Sequence, residues 1–238
     1  MALPYEIYIG LRYLRAKRRN RTISFNTIVS IVGITLGVAA LIGTVGIMTG
    51  FKEDVQAKIL GTTAHILVND RMKESMSEYE EQVKKVAAVP EVVAATPFIF
   101  RQVLLTSSSG VQGIILRGID PAREGTVTEL AHNLITGNLD DLSHTSKVVI
   151  PEKELEPNGP DTAMRPGIIL GKELSMRLGV FPGDTLNVVS PVGPITGASM
   201  TPKIRQFVVV GIFQSGMYEY DSSLAYIELA EAQKFFNM

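Results

Sequence analysis

From Thr22 to Phe51 the chain runs for thirty residues, TISFNTIVSIVGITLGVAALIGTVGIMTGF, without a charged side chain. Its centre, Ile28 to Met48, is 21 residues of almost purely apolar sequence with no polar face at the helical period. A bilayer's hydrocarbon core takes ~20 helical residues to cross, whereas a helix packed on a soluble core keeps a polar stripe. The segment is expected to span a membrane. A cleaved signal has a shorter apolar region, ~7–15 residues, so this one reads as a retained anchor. Ser30, Thr35 and Thr44 do not break the pattern, because short hydroxyl side chains can bond back to their own helix. Upstream, Ile7, Leu11 and Leu14 at i, i+4, i+7 predict a short amphipathic helix from Pro4 to about Ala16. Downstream, Phe51, Val55 and Ile59 continue an apolar line among Lys52, Glu53, Asp54 and Lys58. A stalk helix is expected to leave the membrane over 51–61 and to stop at Gly61.

After the stalk the period changes. A strand is expected around His65–Val68, a helix from about Met76 to Val89 ended by Pro90, and a long strand from Val92 to Thr106. The turn Ser107–Gly110 returns it as the strand Val111–Gly118. This β-α-β-β order predicts a small α/β layer over 62–121. A looser stretch follows, Ala122 to Arg165. Then come a strand at Ile168–Leu170, a helix at Lys172–Leu178, the turn GVFPGD and a strand at Thr185–Ser190. Pro191–Pro202, PVGPITGASMTP, reads as an exposed loop with three prolines, two glycines and no charge. Strands at Ile204–Phe213 and Leu224–Ile227 close a mainly β part over 122–227. A helix begins near Ala230, and there the pattern reads as truncated, with Phe235 and Phe236 still to be covered. The expected fold is membrane-anchored α+β: a cytoplasmic amphipathic and basic segment (1–21), a transmembrane helix (22–50), the stalk (51–61), the two extramembrane parts, and 228–238 turning back to the first.

Charge orients this layout. Six basic residues, Arg12, Arg15, Lys17, Arg18, Arg19 and Arg21, precede the anchor against one acid, Glu6, a net +5. The remaining 17 basic and 23 acidic residues give −6. Basic clusters stay on the cytoplasmic side beside anionic lipid. The N-terminus is therefore expected inside and the large part outside, with no need for a nucleic-acid partner. Small residues line the anchor in two stripes, Gly33, Gly37, Ala40 and Thr44, and Ala39, Gly43, Gly46 and Gly50, which suits close packing on further membrane helices.

Catalytic chemistry is not visible. Cysteine is absent, which excludes disulfides and thiolate metal sites. His65, His132 and His144 have no ligand-like spacing, and Glu152, Glu154 and Glu156 form a solvated run. Gly167-Ile-Ile-Leu-Gly171-Lys172-Glu173 faintly echoes a phosphate loop, but it is one residue short and carries Glu where Ser or Thr should meet Mg²⁺. No catalytic residue, cofactor or metal is expected.

Three stretches together carry a resemblance: IGLRYLRAKRRN with the anchor after it, LRGIDP at Leu116–Pro121, and LGKELSMRLGVFPGDTLNVVSP followed by FVVVGIF and YEYDSSLAYIELAEAQKF. The chain resembles the lipoprotein-releasing permeases of the LolC/LolE type, among the FtsX/MacB-type ABC transporter permeases. The resemblance implies a non-enzymatic subunit in the bacterial inner membrane with a MacB-like periplasmic domain. It also implies a second permease subunit, a cytoplasmic LolD-like ATPase, lipoprotein substrates and a periplasmic LolA-like carrier. A hook loop that captures the carrier would be Pro191–Pro202, with Pro191, Ile195, Met200, Pro202 and the nearby Arg205 as contacts. Asn187 and Ile204 depart from the polar or basic residues found there in the family. The alternatives are a MacB-like exporter permease, an FtsX-like regulator of cell-wall hydrolases, and a membrane-tethered sensor.

Overall fold

The computed structural model describes residues 5–15, 21–70, 76, 78–143, 165–191, 195–196, 199–200 and 202–238, in two compact units, Met1–Val55 and Gln56–Met238. In the first unit, α1 (Tyr5–Arg15) is the expected amphipathic helix. It is followed by α2 (Arg21–Thr62), a helix of 42 residues that runs without a break from the apolar segment into the second unit. Ser30, Thr35 and Thr44 donate to the carbonyls of Asn26, Ile31 and Ala40 at 2.9, 2.8 and 2.8 Å, so each of these three hydroxyls finds its partner within its own helix. Among the described residues nothing buries the apolar window of α2, whereas the core helix of a soluble protein is mostly buried. Lys17, Arg18 and Arg19 lie outside the described residues.

The second unit begins with the last turns of α2. Next in chain order come α3 (Tyr79–Ala87), β1 (Phe98–Thr106), β2 (Val111–Ile119), α4 (Pro121–Glu124), β3 (Leu134–Thr136), a 3-10 turn at Leu139–Leu142 and β4 (Gly167–Gly171). Then follow α5 (Lys172–Leu178), β5 (Thr185–Ser190), the short pair β6 (Ile195–Thr196) and β7 (Ser199–Met200), β8 (Lys203–Phe213), α6 (Tyr218–Ser223), β9 (Leu224–Glu228) and α7 (Leu229–Phe236). The helix at Lys172–Leu178 and the strand at Thr185–Ser190 match the expected bounds.

Several expectations are corrected. His65–Val68 forms no strand: Ile66, Leu67 and Val68 are exposed, and among the described residues this apolar run has no neighbouring strand to pair with. The first long strand starts at Phe98 rather than Val92. After Pro90, Glu91 takes a left-handed φ of 76° and the Val92 N–H turns back to the Val89 carbonyl at 3.2 Å. The looser stretch holds α4, β3 and the 3-10 turn, while residues 144–164, with His144 and the Glu152–Glu156 run, lie outside the described residues. Gly61 is no left-handed stop; α2 passes through it to Thr62.

The boundary expected at 121/122 does not separate two sheets. One seven-stranded sheet has the order β3-β8-β4-β9-β2-β1-β5, and β5 also pairs with β8. Six strands thus close in a ring, with β3 appended along β8. The long β8 makes this closure possible. Its first half, Lys203 to Val208, pairs antiparallel with β5, and its second half, from Val208, runs parallel to β4. β2 lies between β1, antiparallel to it, and β9, parallel to it.

Two apolar clusters sit on opposite faces of these strands. Leu105, Leu116, Ile168, Leu170, Phe207 and Ile227 pack with Leu174 and Leu178 of α5 and Phe235 of α7. Ile119, Ile169, Phe213, Leu224 and Tyr226 pack with Leu130, Leu139 and Leu142. Every residue of β4 is buried, which is why Gly167–Gly171 reads as a continuous apolar run rather than an alternation. Phe235 is 1% exposed against Phe207, and Phe236 packs at its side.

Candidate functional site

The sequence-expected contact residues fall in three places. Pro191 and Pro202 are exposed and bracket the connection from β5 to β8. Those strands pair up to Ser190 against Lys203, so the loop is a hairpin connection between neighbours, with its own small ladder Ile195↔Met200 and Thr196↔Ser199. Its residues 192–194, 197–198 and 201 lie outside the described residues. Arg205 is not in the loop. It stands beside α7, ion-paired with Glu231, while neighbouring Ile204 is exposed across the strand alternation. Lys203 is likewise turned to α7, donating to the Lys234 carbonyl at 3.1 Å and to Asn237 Oδ1 at 2.9 Å. The two cations that flank the loop therefore fasten its return strand to α7. On the anchor, a Cβ added at Gly33, Gly37, Gly43, Gly46 or Gly50 would meet nothing within 4 Å.

The echo of a phosphate loop has a packing explanation. Gly167 and Gly171 are the two ends of buried β4, and Lys172 Nζ bonds Gln214 Oε1 at 3.3 Å at the start of α5. Among the described residues no cluster of His, Asp or Glu could hold a metal ion, and His65 and His132 are exposed.

Sequence reasoning missed a buried polar cluster where α2 ends. It is built by LRGIDP. In β2, Ile114 and Leu116 face one apolar cluster, so by alternation Ile115, Arg117 and Ile119 face the other. Asp120 then caps α4, its Oδ1 accepting from the Ala122 N–H at 3.1 Å, and Pro121 stands in the first turn where no N–H is needed. This short helix delivers Glu124, fully buried, to the neighbourhood of Arg117. The Arg117 guanidinium lies 5.7 Å from the ring centres of both Phe98 and Tyr226. Its Nη1 donates to the Thr62 carbonyl at 3.2 Å, and its Nη2 is 4.0 Å from Glu124 Oε1. Thr128 Oγ1 donates to the same Oε1 at 3.1 Å. Beside this, the Glu129 N–H donates to the Gly61 carbonyl at 2.8 Å.

A helix C-terminus leaves carbonyls without intrahelical partners and carries partial negative charge. Here the last two carbonyls of α2 are taken by a backbone N–H and by a cation. A Cβ on Gly61 would stand 3.1 Å from Glu129 Oε2, so the glycine fits a close approach of this loop to the helix. Burial pushes the Glu124 carboxyl above its ordinary 4.5, against the opposing pull of Arg117 and the Thr128 hydroxyl. Burial also pushes the Tyr226 phenol up to about 12. On the solvent side, Arg123 bridges Glu80 of α3 at 3.2 Å and Asp120 at 3.1 Å. The signal that could have found the cluster was Arg117 itself, one charge inside the apolar run VQGIILRGI at the phase of half-buried Ile115 and buried Ile119.

One helix of this chain is long and apolar enough to cross a membrane, and among the described residues the sheet carries no metal-binding cluster. The family model of the MacB-like periplasmic core domain matches residues 27–238, and the chain belongs to that family. Over nearly its whole length it is similar to the lipoprotein-releasing system transmembrane protein LolC of Xylella fastidiosa (36% identical over 235 residues, 99% of this chain and 52% of that protein). It is similar also to LolC of Neisseria meningitidis (33% over 233 residues, 98% and 51%) and to LolE of Haemophilus influenzae (25% over 233 residues, 96% and 50%). The chain spans about half the length of these relatives.

Proposed function

We propose that this chain is part of a permease subunit of an ABC transporter that releases lipoproteins from the inner membrane and passes them to a periplasmic carrier. The observation that carries the proposal is α2, continuous from its apolar run to Thr62, where Arg117 and Glu129 hold its terminal carbonyls. Such a helix can pass a displacement from the membrane to the sheet without a flexible joint. ATP hydrolysis takes place in a separate cytoplasmic ATPase subunit, whose closure moves the membrane helices of this subunit and of a second permease. The basic flank keeps the N-terminus cytoplasmic and puts Gln56–Met238 in the periplasm, with α1 at the lipid surface. The small-residue stripes of α2 pack on neighbouring membrane helices. The loop Pro191–Pro202 takes the carrier, and Lys203 and Arg205 brace its return strand. The names of the relatives favour lipoprotein cargo over the exporter, hydrolase-regulator and sensor readings.

Deletion of residues 191–202 from the full-length protein, read by pull-down of the periplasmic carrier, tests the loop. Loss of the carrier with normal membrane insertion is the expected outcome. Retention of the carrier would remove the loop from the site.

A further inference from the structure

We infer that Glu231 of α7 is a positioning residue for the loop between Pro191 and Pro202: it holds Arg205 at the root of the return strand and so fixes the direction in which the loop leaves the sheet. The carrier as the loop's occupant is taken from the proposed function, but the positioning itself stands on geometry.

In β8, Lys203, Arg205, Phe207 and Val209 share one face by alternation, and Phe207 and Val209 are core. The loop therefore returns to the sheet with two cations on the inward face, at the edge of an apolar cluster. A cation in such a place needs an anion or an acceptor to meet it, and α7 supplies both. Glu231, 9% exposed, pairs through Oε2 with Arg205 Nη2, and its Oε1 accepts from Lys234 Nζ at 2.8 Å. One carboxylate oxygen is thus on the return strand and the other on its own helix. The Arg205 guanidinium lies 5.8 Å from the ring centre of Phe207, and Lys203 Nζ lies 5.7 Å from that of Phe235. Lys203 also serves the C-terminal end of α7, where Asn237 takes a left-handed φ of 56° and a cation is favoured.

The helix is a firm base for this hold. It packs on β1, β2 and β9, and a Cβ on Gly118 of β2 would lie 2.4 Å from the Cβ of Ala232, so the residue next to Glu231 is pressed against the sheet. The ladder between β5 and β8 ends at Ser190 and Lys203. Beyond that rung the direction of the loop depends on how firmly Lys203 and Arg205 are held. Glu231 acts through Arg205 and not by contact with the carrier.

The test places nitroxide labels at Thr196→Cys in the loop and at Met176→Cys, an exposed site on α5, in the full-length protein cleared of any other cysteine. Pulsed electron resonance then reads the distribution of distances between them. Glu231→Gln removes the anion and broadens the distribution. Arg205→Met does the same, and it decides the matter if the glutamine variant does not fold. The double variant is no broader than the wider single one, because both break the same contact. Affinity for the periplasmic carrier falls about three- to tenfold in each, the scale of a hydrogen bond between charged groups that water partly screens. Gly171→Ala, which crowds the Asp221 backbone of α6, is the stability control and leaves distribution and affinity unchanged. An unchanged distribution in both Glu231→Gln and Arg205→Met overturns the inference, and so does equal broadening in Gly171→Ala. Broadening with unaltered carrier affinity would uphold the positioning and count against the carrier reading instead.

Discussion

Gly171 shows how one residue at the end of a strand can be dictated by a backbone elsewhere. A Cβ placed on it would lie 2.2 Å from the Asp221 carbonyl oxygen. That carbonyl has little room to retreat, because the Asp221 side chain accepts from the Ser215 N–H at 2.7 Å and from its hydroxyl at 2.8 Å. Gly171→Ala is therefore expected to destabilise the protein by about 1–3 kcal/mol or more, as overpacking does. Thermal unfolding of the purified protein checks it, and an unchanged midpoint would show that α6 yields freely. In sequence the same glycine belonged to a faint phosphate-loop echo. The spacing could be read, but the neighbour that explains it is fifty residues downstream. Arg117 has the same history. Its charge in an apolar strand was plain, while its partners Thr62 and Glu124 come from segments on either side of the hairpin.

At the scale of elements, periodicity predicted most helices and strands where local pattern is strong. α5 and β5 agree residue for residue, because a left-handed glycine, Gly179, ends the helix and alternation runs cleanly through TLNVVS. The misses are elements whose existence depends on a neighbour: β3 forms along β8, α6 seats on β4, and the apolar run His65–Val68 forms no strand. α7 shows the converse. Its first residues were legible, but Phe235 proves to be core, edge-on to Phe207 with ring centres 6.3 Å apart. Phe235→Ala should cost about 3–5 kcal/mol, the range for a buried aromatic. It should also loosen the return strand of the loop, since Lys203 caps this helix and Arg205 pairs with Glu231 on it. Denaturant unfolding measures the first effect, and a midpoint within error of the parent would mean that α7 is not part of the cooperative unit.

For the molecule as a whole, the proposed topology can be tested directly because these 238 residues contain no cysteine. In a full-length protein cleared of any other cysteine, Val93→Cys, at a site 97% exposed in the second unit, should react with a membrane-impermeant maleimide in spheroplasts. Arg12→Cys on α1 should react after permeabilisation. The reverse pattern would invert the topology and end the transport proposal.

Sequence alone determined the membrane-length helix, the charge step across it and most local elements, because each depends on residues within a few turns of one another. It also supplied a family resemblance that the MacB-like core-domain match supports at the level of the domain. Tertiary structure alone decided that the strands close into one ring and that Arg117 reaches Thr62. Both depend on which distant segments meet and on how a buried charge is satisfied, and hydrophobic period carries no record of either.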